Sequence, residues 1–155
     1  MSKNLLKIIE LEDELNVFLE DDLNKEDKCE KIISEIAKLL DKLDNDELLY
    51  LMTNSDTIHR FIDITAYFKK YKINKKEISE KNSYQETFKK LNLFVERVRD
   101  ASICEEEYMY ICQKCCVDDI SNYLLSKMSN EEIMSLSLET DDWNYKLFLF
   151  GNLKV

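Results

Sequence analysis

Proline is absent from this chain and glycine occurs once, at Gly151. Phosphate-cradling loops, dinucleotide fingerprints and nucleophile elbows need glycines at set positions, because the backbone there reaches positive φ or approaches a ligand closely. A single glycine cannot build them. Asn-Gly and Asp-Gly are both missing, which argues against a domain of tight β-hairpins. No apolar run approaches the roughly 18 residues that a membrane span needs. The first residues turn acidic within ten positions and lack the apolar stretch and small-residue cleavage site of a secretory leader, so a cytoplasmic location is expected. Histidine also occurs once, at His59, so any imidazole-dependent chemistry would have to run through it.

What is present is helical material. The 155 residues are 45% hydrophobic and 35% charged, a composition that can bury one ordinary core and solvate its surface. Apolar residues recur at helical spacing: Leu5, Leu6, Ile8, Ile9, Leu11, Leu15, Phe18 and Leu19 in a helix over about 3–20, then Cys29, Ile32, Ile33, Ile36, Leu39, Leu40 and Leu43 after a cap at Asn24. Asp44 with Glu47 three residues on is a capping box that opens a short helix. Ser55 or Asp56 then caps a fourth helix through Ile58, Phe61, Ile62, Thr65 and Phe68. Ser83 caps a fifth over about 84–100. A sixth runs from Ile103 to Cys116 with a break before Asp118, and Thr140 or Asp141 caps the last, which Gly151 ends as a C′ glycine. The fold expected is all-α, about seven helices in antiparallel hairpins within a single domain, residues 1–155.

The chain also echoes itself. Residues 39–52 (LLDKLDNDELLYLM) align with 124–137 (LLSKMSNEEIMSLS) at an offset of 85, with six identities in fourteen positions. The alignment extends to a duplication of 35–68 as 120–153, a pattern compatible with two stacked HEAT-like units. Chance similarity between capped helical hairpins is the competing explanation. Between the copies, residues 69–90 carry eight lysines and three glutamates, net +5, against −10 for the whole chain. That stretch reads as a basic, exposed connector.

Three constellations could carry chemistry. Cys104, Cys112, Cys115 and Cys116 are the densest group of soft ligands, and on a helix the last three share a face that could approach a metal. Without a second knuckle or a histidine pair, one apolar stripe of reduced cysteines is the stronger reading, and the odd total of five fits a reducing compartment. Neighbouring acids also disfavour a reactive thiolate. His59 lacks a nearby nucleophile that spacing can identify, and the many carboxylates include no pair that spacing places in an apolar pocket. Neither a cofactor motif nor catalytic machinery is legible, and a non-enzymatic role is expected.

The acidic run is more informative. Residues 10–30 hold ten acids and two lysines, including Glu10, Glu12, Asp13, Glu14, Glu20, Asp21 and Asp22. Part of this charge suits helix N-termini and a solvated face. It would also steer a partner protein with a basic surface. Direct nucleic-acid contact is disfavoured, because only the 69–90 lysines could meet phosphates. Of the C-terminal aromatics, Trp143 and Tyr145 are best placed to reach the rim of an interface. Hairpins of the type LLDKLDNDELLYLM with an aromatic last helix such as DDWNYKLFLF resemble those of small acidic helical immunity proteins from bacterial polymorphic toxin systems. That resemblance implies a cognate toxin, blocked by direct contact. A phage or viral antagonist of a host defence protein, and a cysteine-based metal or redox regulator, are the rival expectations.

Overall fold

The computed structural model describes residues 1–20, 26–80 and 83–155, without the side chains of residues 77, 79 and 80. The expected caps and acids at Asn24, Asp21 and Asp22 lie outside the described residues. The described residues are helical, with no strand: α1 (Lys3–Glu20), α2 (Glu26–Leu40), α3 (Asn45–Asn54), α4 (Lys75–Glu80), α5 (Tyr84–Ala101), α6 (Glu105–Lys114), α7 (Val117–Lys127), α8 (Asn130–Leu138) and α9 (Trp143–Phe150). The backbone contacts divide into two compact units. Unit 1 is Met1–Lys69 with Asp100–Ile111, and unit 2 is Lys70–Arg99 with Cys112–Val155. The basic stretch 69–90 is therefore no bare connector. It contributes α4 and the first part of α5, and Phe88 is buried.

In unit 1, α1 packs along α2 and buries Leu5, Ile8, Leu11 and Leu15, the stripe that its period predicts. Unit 2 buries Phe88, Leu91, Phe94 and Val98 from α5, which repeat the spacing of the α1 stripe. Buried pairs also recur at the offset of 85: Leu40 with Leu125, Leu43 with Met128, Leu48 with Ile133 and Leu51 with Leu136.

Each unit contains the same pair of local devices. Asp44 and Glu47 form a capping box at the start of α3, and Ser129 and Glu132 form one at the start of α8. One residue further in, Asn45 reaches across the unit: its Nδ2 donates to the Lys69 carbonyl at 2.8 Å and its Oδ1 accepts from the Lys69 N–H at 2.9 Å. Asn130 does the same to Lys154, at 2.7 Å for both bonds. The two lysines then turn back alike. Lys69 Nζ donates to the carbonyls of Asp41 and Leu43, and Lys154 Nζ to those of Leu125 and Met128. In both units a cation thus meets carbonyls at and just beyond a helix C-terminus, where the helix dipole favours it.

Four expectations need correction. The cap of α9 is Asp142, whose Oδ1 accepts from the Asn144 N–H at 3.0 Å and the Tyr145 N–H at 3.3 Å, rather than Thr140 or Asp141. The fourth helix is two 3₁₀ turns, Ile58–Arg60 and Ile64–Tyr67. Thr57, Ile58, Ile62, Ile64 and Thr65 are β-branched and resist an unbroken helix, while Asp63 accepts from the Thr65 N–H at 3.1 Å and starts a new turn. The sixth helix runs Glu105–Lys114, two residues short of its expected end at Cys116, and the chain turns there into α7 at Val117. Cys116 has φ 56° and ψ 40°, and it is the one described residue with positive φ. Gly151 does close α9, yet with φ −64° and ψ −16°, right-handed geometry open to any residue. The chain makes its left-handed turn at a cysteine and leaves its lone glycine right-handed.

Candidate functional site

The acidic residues of α1 follow from its helical period. With Leu5, Ile8, Leu11 and Leu15 inward, the opposite face carries Leu6, Glu10, Asp13, Glu14, Val17 and Glu20, all exposed. Lys7 approaches Glu10 at 3.9 Å, a solvent-exposed pair of little energetic weight. The face thus carries four carboxylates and, toward its N-terminal end, the exposed Lys3 and Lys7, with an exposed apolar residue on either side of the Glu10–Glu14 cluster, Leu6 at 48% and Val17 at 66%. A charged surface with apolar contacts within it can both attract and hold a complementary partner. The sequence pattern groups Leu6 with the apolar positions of the helix and leaves Val17 aside, whereas the structure exposes both, as the period that buries the inward stripe requires.

Glu12 does a different job. Its carboxylate accepts hydrogen bonds from Ser55 Oγ, from the Thr57 N–H at 3.3 Å and from the Ile58 N–H at 3.1 Å. One turn on, Asn16 Oδ1 accepts from Thr57 Oγ1 at 2.5 Å. These bonds satisfy the buried Ser55 and Thr57 and fix α1 to the corner that follows α3. Glu12 is therefore a scaffold residue of unit 1, engaged from within the fold. In α2, Glu26 and Asp27 occupy the first turn, where acids suit the macrodipole.

In unit 2, Trp143 and Tyr145 separate. Trp143 is 69% exposed at the start of α9, with Lys146 Nζ 5.0 Å from its ring centroid. Tyr145 is half-buried, and its hydroxyl accepts from Asn92 Nδ2 at 2.7 Å. Burial raises the Tyr145 hydroxyl above its usual pKa, partly offset by the Asn92 bond. Beside it, Lys89 and Glu139 pair at 3.0 Å, and Asn92, Glu96, Thr140 and Tyr145 help to line a crevice of about 660 Å³. Trp143 is thus available to a partner, while Tyr145 is held largely within unit 2.

Cys104 is exposed in unit 1, while Cys112, Cys115 and Cys116 belong to unit 2 and range from half-buried to buried. Among the described residues, no three His, Cys, Asp or Glu side chains are grouped to hold a metal ion. The Cys115 thiol is pushed up to about 12, first by burial and then by the neighbouring Cys112 and Cys116. That holds it protonated, the inert state of a packing cysteine. His59 is exposed on the first 3₁₀ turn rather than on a helix, at the edge of a crevice of about 440 Å³ that Asp63 and Glu107 also line. Among the described residues no helix is long and apolar enough to cross a membrane. No protein-family model, curated protein or solved structure matches this chain.

Proposed function

We propose that this chain is a non-enzymatic protein-binding module, an inhibitor or adaptor whose α1 face engages a basic surface on its partner. One observation carries the reading: Glu10, Asp13, Glu14 and Glu20 stand together on the outer face of α1 with Leu6 and Val17 exposed among them. Four acids on one short face raise the rate of encounter with a basic partner, and the apolar pair supplies contact area that survives added salt. The likeness of the hairpins to those of immunity proteins makes a toxin the natural partner class, bound and blocked by direct contact. We further propose that the two units descend from one duplicated helical hairpin. The paired capping boxes, the paired Asn–Lys locks and the repeated burial pattern support that origin, because the same non-local contacts recur at one sequence offset.

The test is a comparative capture from the native host with tagged wild-type protein and the triple variant Glu10→Lys, Asp13→Lys, Glu14→Lys, followed by mass spectrometry. A basic protein retained by the wild type and lost by the variant supports the reading, as does slower association at higher salt. Equal retention by both proteins, or salt-independent association, overturns it. Glu12 stays unchanged in that variant because its substitution would disturb unit 1 itself.

A further inference from the structure

Unit 2 carries a second surface of opposite sign. Residues 70–74 have no regular secondary structure, and their exposure alternates residue by residue: Lys70, Lys72 and Asn74 are outside, Tyr71 and Ile73 half-buried. That period belongs to an extended chain. Tyr71 donates its N–H to the Cys115 carbonyl at 3.1 Å and so faces the body of unit 2. In an extended chain successive residues present their backbone groups to opposite sides, so those of Lys70 and Lys72 lie on the side away from the Tyr71–Cys115 bond. Beside this segment lies a groove of about 450 Å³, with Ile73, Ile120 and Tyr123 in its lining and Lys70, Lys72 and Lys75 around it, opposed by Asp119. Positive charge converges on Tyr123 as well: Lys75 Nζ is 5.6 Å and Lys127 Nζ 5.9 Å from its ring centroid.

We infer that this groove binds an extended acidic peptide segment of a partner protein, one with apolar residues between its carboxylates. Such a segment adds alongside residues 70–74 as an extra strand would, taking main-chain hydrogen bonds from the outward edge. Side chains on alternate residues of a strand recur about every 6.6 Å, so acids at alternate positions keep step with Lys70 and Lys72. The intervening apolar side chains enter the groove over Ile120 and Tyr123. A nucleic acid fits less well: few lysines meet it here, the lining is apolar, and the chain as a whole carries −10. The site is separate in residues and in sign from the α1 face, so the module would hold a basic surface with one unit and an acidic segment with the other.

A labelled eight-residue peptide of alternating glutamate and valine tests this by fluorescence anisotropy, beside an alternating lysine and valine peptide and a single-stranded oligothymidylate. The expected result is saturable binding of the acidic peptide alone, with amide NMR shifts at Lys70, Lys72 and Ile73. The exposed double variant Lys70→Glu, Lys72→Glu should weaken it by about tenfold or more, while the triple variant of α1 leaves it unchanged. Matching circular dichroism melts for wild type and double variant establish that both are folded. No saturable binding of the acidic peptide, equal affinity in the double variant, or preference for the oligothymidylate each overturns the inference.

Discussion

The Asn45–Lys69 lock is the most informative place to perturb unit 1. In Asn45→Ala both bonds to the Lys69 backbone are lost, at 2.8 and 2.9 Å, while the capping box of Asp44 and Glu47 next to it is untouched. A net hydrogen bond contributes about 0.5–1.5 kcal/mol, and at this exposed position water replaces the lost partners, which points to the lower half of that range. The two bonds together then amount to about 1–2 kcal/mol, or a fall of about 3–6 °C in Tm for a protein of this size. Lys69→Met removes the complementary half, the Nζ bonds to the Asp41 and Leu43 carbonyls, and keeps the backbone lock. It should cost about 1 kcal/mol. The double variant should lose less than the sum, because both changes free the same segment. Thermal melts by circular dichroism give the magnitudes, and hydrogen exchange gives the location. The Lys69 amide, bonded to Asn45 Oδ1, should lose its protection in Asn45→Ala, while the Leu43 amide, bonded to the Leu40 carbonyl, keeps its own. Asn130→Ala should act likewise at Lys154, with a somewhat smaller shift because Asn130 is the more exposed of the two. A Tm change below about 1 °C with unaltered exchange at Lys69 refutes the reasoning, since that corresponds to less than about 0.5 kcal/mol.

Cys116→Gly relieves a left-handed backbone conformation that costs a residue with a Cβ about 1–2 kcal/mol, against the greater freedom glycine adds to the unfolded chain. A net stabilisation of about 0.5–1 kcal/mol should appear in urea titrations, and a destabilised variant would contradict the strain. Gly151→Ala should stabilise by about 0.4–1 kcal/mol, because its backbone is right-handed and an added Cβ meets only the Leu147 and Phe148 carbonyls at 3.5 Å. Glu12→Ala leaves the Thr57 N–H and the Ser55 hydroxyl without their carboxylate acceptor, with the Ile58 N–H keeping only Ser55 Oγ, and should cost about 1.5–3 kcal/mol by chemical denaturation; a neutral result would remove Glu12 from the scaffold. Cys115, held at about 12, should resist thiol reagents at pH 8 while the exposed Cys104 reacts promptly. The folded thiol keeps its proton above the ordinary value of 9.0, so its contribution to stability is complete below pH 9 and is lost as the pH climbs from 9 toward 12. A Cys115→Ala variant should show a shallower decline over that window in pH-dependent melts.

Much of the secondary structure was legible because its causes are local. The stripe Leu5, Ile8, Leu11 and Leu15, the Asp44–Glu47 capping box and the Ser83 cap, which accepts from the Glu86 N–H at 3.1 Å, each depend on residues within a few turns of one another. The same local rules placed Glu10, Asp13 and Glu14 on the outside of α1, and they would have placed Leu6 and Val17 there too. They failed where two local preferences compete: β-branched residues and the Asp63 side chain turned an expected fourth helix into two 3₁₀ turns.

The sequence by itself determined an all-helical chain, with its charge gathered into an acidic stretch and a basic one and with an internal echo at an offset of 85. Tertiary structure decided which members of those sets are engaged within the fold. Glu12 was one acid among ten until Ser55, Thr57 and Ile58, more than forty residues away, came to its carboxylate. Lys69 was one lysine among eight until Asn45 held its backbone and two carbonyls took its ammonium. It also set the left-handed residue at Cys116 and left Gly151 right-handed. The reason is common to all four: a side chain's charge and period are properties of the local sequence, whereas its hydrogen-bond partner and its φ depend on what packing brings near.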